Sequence, residues 1–409
     1  MKTRRNQLIT NKRRIKVLLT LIFVLIFPII LSSPLFSNLF THNIIEIEDD
    51  ITDDKINRPL TSAPINAHYF QYYKDITIDH TKVSGTSGHT NFPFLYSIYD
   101  EDLFSDVQSN GNDIAFSLNN IWLDHEIEVF DQIGNGTHAR LVAWIRIPAL
   151  SVTIDTIIRM YYGNSTIVSQ QNPEGVWDSN YKAVYHMNQD PSLSSVLDST
   201  TNNYDLTAGS GFVSGDLVDG VIGKAIEFGA VNTQYLEITS GFSNPVSSLS
   251  LEIWFSPQLF NTYQRYFTAR WSYPDLRLRD NNRFTTRIRN NLGNVSSTES
   301  TFDAWLDQYY HFVMTWQGGS VGHQKHYLNG TLIRDDYDAE ALGTSSSWTG
   351  FNLGSDTDHT DPIGAYIEEF RISSNVRSSD WYKTEFNNQY NPKSFYSIDI
   401  EQEVVWEPP

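Results

Sequence analysis

The chain has 409 residues, with 29 Lys and Arg against 48 Asp and Glu, a formal charge of −19. That balance excludes nucleic acid as a natural partner, because phosphate backbones are held by basic surfaces. There is no Cys, which excludes thiol catalysis, disulfide staples and Cys-based zinc sites. The length allows two domains with extensions. Aromatics at 13% supply core material, and recurring clusters of Asn, Ser, Thr and Asp mark short strands joined by turns.

Lys2, Arg4, Arg5, Lys12, Arg13, Arg14 and Lys16 make residues 1–16 a basic tail. Residues 17–40 carry no charge and are long enough to cross a bilayer of about 30 Å. The positive flank predicts a single-pass cell-membrane protein, anchored through residues 17–40 with its domains outside. A cleaved signal peptide, giving a secreted protein, is the alternative. Residues 41–66 form an acidic linker around Glu46, Glu48, Asp49, Asp50, Asp53 and Asp54, with too little apolar surface to fold alone.

Residues 67–177 read as a β-sandwich module. Alternation predicts strands over 73–79, 91–98, 114–116, 123–130, 141–147 and 156–162, and Pro93 places the second of these on a sheet edge. Five motifs stand in order: Phe92-Pro93, Gly111 to Phe116, His125-Glu126-Ile127-Glu128, Trp144 to Pro148, and Tyr161 to Asn164. On them the module resembles the domain of unknown function 2341 family. That resemblance implies an architecture on cell-surface proteins and no particular activity.

Residues 178–396 read as a second sandwich, followed by a tail at 397–409. Strands are expected over 181–187, 249–255 and 309–316, with Asn329-Gly330 as a two-residue hairpin turn. A long strand runs from Gly364 to Ile372, with Ala365, Ile367 and Glu369 on one face and Tyr366, Glu368 and Phe370 on the other. Ser378 or Ser379 then caps a helix over 380–387. The loop from Asp198, the Gly220 to Gly229 element and the run Ile367, Glu368, Glu369, Arg371, Ile372, Arg377, Ser378, Trp381 resemble the laminin-G-like, concanavalin A-like jelly rolls. The expected fold is therefore all-β. It has two β-sandwich domains, the second a concanavalin A-like jelly roll, after one N-terminal transmembrane helix.

Three groups carry candidate chemistry. Glu126, Glu128 and Asp131 put carboxylates on one strand, and retaining glycoside hydrolysis needs two carboxyls about 5–5.5 Å apart. However, the motif lies outside the jelly roll and belongs to the pattern of the first module. Asp198, Asn203 and Asp205 offer the hard oxygens that Ca²⁺ prefers, and the jelly-roll resemblance implies a Ca²⁺ at this rim, with Glu368 as a further ligand. Trp271, Tyr273 and Trp348 adjoin turn residues, where aromatic faces can stack on sugar rings. The resulting expectation is a non-catalytic, membrane-anchored surface protein for adhesion or recognition of an extracellular glycan or protein. A polysaccharide-active hydrolase is the alternative.

Overall fold

The computed structural model describes residues 67–405, apart from 246, 261, 270–272, 301–302 and 339–342. All described residues belong to one compact unit. The expected basic tail, apolar span and acidic linker lie outside the described residues.

The single-pass membrane reading is corrected here. No helix among the described residues is long and apolar enough to cross a membrane. The longest, Ser379–Tyr390, has 12 mostly polar residues. The described residues are accordingly all-β in two sandwiches, with no transmembrane helix among them.

The first sandwich faces a six-stranded sheet against a three-stranded one. In the larger sheet the order is Tyr396–Ile398, Tyr72–Ile78, Thr156–Tyr162, Ala115–Leu118 and Ile121–Leu123, with Gln402–Glu403 also on Tyr72–Ile78. The smaller sheet places Ala139–Leu150 between His89–Asp100 and His125–Asp131. Ile76, Ile78, Ile158 and Met160 meet Phe92, Phe94, Tyr96, Leu141 and Ile145 in one core. The single strand expected over 123–130 is two strands in different sheets, parted at Asp124. Pro93 does lie on an edge strand, where its missing N–H leaves no gap in a ladder.

The second sandwich has an eight-stranded sheet, here the inner sheet, and a seven-stranded one, the outer sheet. Leu251, Ile253, Phe255, Phe267, Phe312, Trp316, Phe351 and Phe370 fill the space between them. Asn329 and Gly330 have φ of 49° and 70°, the left-handed pair that a tight hairpin requires. The strand Gly364–Ser373 pairs with Lys224–Gly229, Ser248–Pro257 and Tyr181–Tyr185. It is buried along almost its whole length.

The inner sheet turns its other face to the first sandwich. Leu95, Val142, Trp144 and Trp177 meet Tyr181, Val184, Ile222 and Trp254 there. The chain then returns: Ser378 caps the helix Ser379–Tyr390 by accepting from the Trp381 N–H at 3.1 Å. Trp381 packs edge-on against Phe92 at 5.1 Å. Asn388 accepts from the Leu95 N–H at 2.7 Å and donates to the Leu95 carbonyl at 2.9 Å. The Tyr396 hydroxyl does the same for Ser97, at 3.0 and 2.8 Å. Two side chains thus complete the open edge of a first-sandwich strand, which would otherwise leave buried backbone groups unpaired. Residues 396–398, at the expected start of a tail, are a strand of the first sandwich.

Replacing Asn388 with Ala orphans both Leu95 groups, each costing roughly 1–3 kcal/mol. The expected loss is about 2–6 kcal/mol, read as a lower denaturant midpoint. A change under about 0.5 kcal/mol would show that the edge does not need this cap.

Candidate functional site

Two places gather polar groups that an ordinary core would not. The first is the joint between the sandwiches. Its position depends on two β-bulges. In the pairing of His125–Asp131 with Ala139–Leu150, register shifts between Ile127 and Val129. In Gly364–Ser373, Trp254 faces Glu369 while Phe255 faces Ile367. Each bulge inserts a Glu, at 128 and 368, and the second turns the successive carboxylates of Glu368 and Glu369 the same way.

Arg371 lies at the centre, 1% exposed. Its guanidinium donates to Glu252 at 2.9 Å, Glu369 at 2.9 Å and Glu385 at 3.1 Å. The Trp144 and Trp177 rings cover it at 4.5 and 5.0 Å. His186 donates through Nδ1 to Glu369 at 2.7 Å and through Nε2 to Glu126 at 3.2 Å. Glu126 also accepts from Ser199 at 2.6 Å and Trp177 at 3.0 Å, and Glu128 from Trp144 at 2.9 Å. Glu368 accepts from the backbone N–H groups of Val221 at 2.9 Å, Ile222 and Gly223 at 2.8 Å. A Cβ on Gly220 would collide with the Glu368 carboxylate, and one on Gly223 with Glu128. Gly223 therefore permits the close approach of the two sandwiches, and Gly220 the seating of Glu368 within the jelly roll.

Burial opposes charge on His186, but Glu369 and Glu126 hold its imidazole protonated well above the ordinary range. Burial pushes Glu126 up, and His186 and its other donors outweigh it, leaving the carboxyl below its usual value. Glu252 is likewise lowered, with Arg371 overcoming burial. Burial and the neighbouring Glu369 raise Glu128 to about 8. Burial and Glu252 raise Glu385 to about 8. Burial raises Glu368 to about 7 against its three amide donors. The groups Glu128, His186, Glu369 and Glu252, His311, Glu385 each bring three potential metal ligands together. In the first, both His186 nitrogens already serve carboxylates, and Arg371 bonds acids of both groups.

The second place is the face of the outer sheet turned away from its core. Arg265, Thr268, Asp275, Arg277, Thr285, Arg287, Arg289 and Asn352 alternate there with core residues Phe267, Leu276, Leu278, Phe284 and Ile288. Asp275 is fully buried and accepts from Arg287 Nε at 3.0 Å. Arg277 Nε and Arg265 Nη1 stand 3.8 and 3.9 Å away. Burial raises Asp275 to about 7 against the pull of Arg287 and Arg265. Tyr263 lies under Arg265 and Arg277, at 5.7 and 5.4 Å, and Tyr273 under Arg287 and Arg289, at 4.5 and 5.6 Å. Five buried atoms on this face have no hydrogen-bond partner: Arg265 Nη1, Thr268 Oγ1, Arg277 Nε, Thr285 Oγ1 and Asn352 Nδ2.

The residues singled out in the sequence scatter between these places. Glu126 and Glu128 are sealed in the joint, facing protein partners and no cleft. Asp131 is exposed at its strand end, capping the Ile133 N–H at 3.0 Å. Asp198 accepts from the N–H groups of Val184, Thr200 and Tyr204 and from the Thr200 hydroxyl, all within 3.0 Å. Asp205 accepts from the Asp198 N–H at 2.9 Å, and Asn203 donates to the Thr201 carbonyl at 3.2 Å. These three shape their own loop, and a cation there would compete with four bonds to Asp198. Trp348 is 1% exposed and stacks on Phe242 at 4.9 Å, inside the core. Trp271 lies outside the described residues. Tyr273 stands on the outward face, beside Arg287 and Arg289. The arginines passed unnoticed, although Arg277-Leu-Arg279 and Arg287-Ile-Arg289 repeat the same alternation on neighbouring strands.

Residues 229–381 match the concanavalin A-like lectin/glucanases superfamily, so the second sandwich carries a jelly roll of that kind. No curated protein matches the chain. Among solved structures it is similar to the binding domain of Paraclostridial Mosquitocidal Protein 1, with 15% identity, 52% of this chain and 53% of that one covered, and a TM-score of 0.41. It is similar to the Botulinum neurotoxin serotype D binding domain at 12% identity, covering 53% of each chain, with a TM-score of 0.40. It is also similar to the heptameric SAP-like pentraxin from Limulus polyphemus at 14% identity, over 38% of this chain and 78% of that one, with a TM-score of 0.31. The chain spans about half the length of the first two.

The joint predicts a pH dependence of stability. Glu128 and Glu385 keep their protons to about pH 8 in the fold, while unfolded Glu loses its own near 4.5. The unfolded chain binds fewer protons across that window, so stability falls as pH rises from about 4.5 to about 8. Glu126 and Glu252 act oppositely, losing their contribution as pH drops below the ordinary Glu range. Glu128→Gln cannot ionise. Its melting temperature is expected to exceed that of the wild type at pH 9 and to lose that advantage at pH 5. Parallel melting curves for the two proteins between pH 5 and 9 would contradict the assignment.

Proposed function

We propose that this protein is a non-catalytic binding protein whose jelly roll recognises a glycan or protein partner through the outward face of its outer sheet. The observation that carries this reading is the set of five buried, unpartnered polar atoms on that face. Buried polar groups in folded proteins are nearly always hydrogen-bonded, so five unpartnered ones on one face mark where a polar ligand, or water admitted by a movement of the covering side chains, would supply the missing bonds. Tyr263 and Tyr273 add aromatic surface beside these groups. Aromatic rings next to directed hydrogen bonds are the usual combination for holding a polyhydroxyl ligand.

The first sandwich, which resembles the domain of unknown function 2341 family through the motifs above, then acts as a platform. It covers the inner sheet and leaves the outer one free to meet a partner. The joint's carboxylates take structural roles in this reading, because each is held by protein donors within the contact.

The test is a glycan array with the intact protein, followed by titration of any hit against Tyr273→Ala. The expected result is binding to at least one glycan, weakened tenfold or more by the substitution with an unchanged melting temperature. A hit unaffected by Tyr273→Ala and by Tyr263→Ala would move the recognition surface elsewhere. Absence of any glycan or protein ligand would remove the reading.

A further inference from the structure

We infer that the joint holds one divalent transition-metal ion of the Zn²⁺ class, bound by Glu252, His311 and Glu385 and stapling the jelly roll to its returning helix. The site lies on the inner sheet and is independent of the recognition surface on the outer one.

The ligands converge from three elements. Glu252 is on the strand Ser248–Pro257 and His311 on its neighbour Tyr310–Gln317. The helix Ser379–Tyr390 brings Glu385 to them. One ligand atom of each lies within 4.8 Å of the other two. Glu252 is 5% exposed, and His311 and Glu385 are fully buried. His311 Nδ1, His311 Nε2 and Glu385 Oε2 have no hydrogen-bond partner. Buried polar atoms are nearly always paired, so open ones in one cluster point to a missing ligand. His311 Nε2 stands 3.2 Å from Glu252 Oε1, yet the two make no hydrogen bond. Two ligands held about 2.0–2.1 Å from a tetrahedral ion stand about 3.4 Å apart, with their lone pairs aimed at the ion and not at each other. Trp254 stacks on the imidazole at 5.2 Å and fixes its plane.

Charge favours the same ion. Glu126, Glu252, Glu369 and Glu385 share only Arg371 and His186 as cations. Four ionised acids against two cations leave two negative charges in a contact closed to water, and a divalent ion offsets both. Arg371 bonds Oε1 of Glu252 and of Glu385. A carboxylate has about four lone-pair sites, so each acid keeps capacity for a metal. One imidazole with two carboxylates suits Zn²⁺, whereas Ca²⁺ takes six to eight oxygens. The parallel group of Glu128, His186 and Glu369 offers no open imidazole, because both His186 nitrogens are bonded. In the surface group of Asp79, His80 and Asp155, His80 Nδ1 is already paired with Asp155 at 2.6 Å.

The experiment uses the full protein from cells grown with added Zn²⁺, then dialysed folded against EDTA, which strips surface ions and spares a sealed one. Elemental mass spectrometry is expected to find about one Zn per chain, and at least about fivefold less in His311→Gln. Protein from cells grown with Co²⁺ is expected to show visible d–d bands that the same substitution alters. Where His311→Gln does not fold, Glu385→Gln takes its place. Wild-type protein with under about a tenth of an equivalent of Zn, and no d–d bands after growth in Co²⁺, would overturn the inference. So would full Zn retention by the folded variant, loss of the Zn in His80→Gln, or uptake of Ca²⁺ in place of Zn²⁺. Glycan binding at the outer sheet is read separately, and its failure leaves this result standing.

Discussion

The joint between the sandwiches depends on Arg371. Its side chain joins Glu252 and Glu369 of two neighbouring inner-sheet strands to Glu385 of the C-terminal helix, beneath two tryptophans of the first sandwich and its connector. Removing one partner of a buried ion pair costs about 3–5 kcal/mol, because the remaining charge is stranded. Here one cation serves three acids, so the loss would reach every element that meets at the joint. His186 repeats the device on a smaller scale between Glu369 and Glu126. The two cations tie a strand of the first sandwich, two of the jelly roll and the returning helix into one contact.

Such a contact is costly to build, and its geometry shows how the cost is offset. Glu128, with no cation in hydrogen-bond distance, and Glu385, which shares Arg371 with two other acids, are raised in pKa chiefly by burial, and so enter the joint protonated near neutral pH. Glu368 is met by three successive backbone N–H groups of the loop from Val221 to Gly223. A loop of residues with side chains at 220 and 223 could not come so close. The joint is thus held by hydrogen bonds directed from backbone and indole N–H groups as much as by charge.

Much of this was legible in the sequence, and the part that was not has a physical cause. The strands at 72–78, 156–162, 248–257 and 310–317 follow from apolar alternation, and the helix after Ser378 from its cap. Alternation failed at Glu369, expected beside Ile367. The bulge at Glu368 shifts the period by one, which sends Ile367 to the core and Glu369 to Arg371. The split at Asp124 was hidden for a related reason, since a chain crossing between sheets keeps its apolar residues in step with both cores. The pairing of Tyr396–Ile398 with Tyr72–Ile78 joins residues more than three hundred positions apart, and short strands carry no local mark of their partners. Of the aromatics read as a sugar platform, Trp348 follows a serine run yet packs inward, because a turn residue nearby says nothing of which way a ring points.

The two sheets of the jelly roll distribute charge in opposite ways. The inner sheet presents Glu252, Glu368 and Glu369 to a contact that water barely enters. The outer sheet presents Arg265, Arg277, Arg287 and Arg289 on its outward face, with Asp275, Glu237 and Glu299 among them. A chain with a net charge of −19 would at long range repel an anion. Salt limits that repulsion, since the Debye length is about 8 Å at physiological ionic strength. A charged group at the outer sheet therefore responds to the side chains beside it and not to the acids of the joint across the sandwich. Sealing the carboxylates between the two sandwiches removes them from competition for the outer sheet's arginines, which are left to Asp275 and Asp361 beside them.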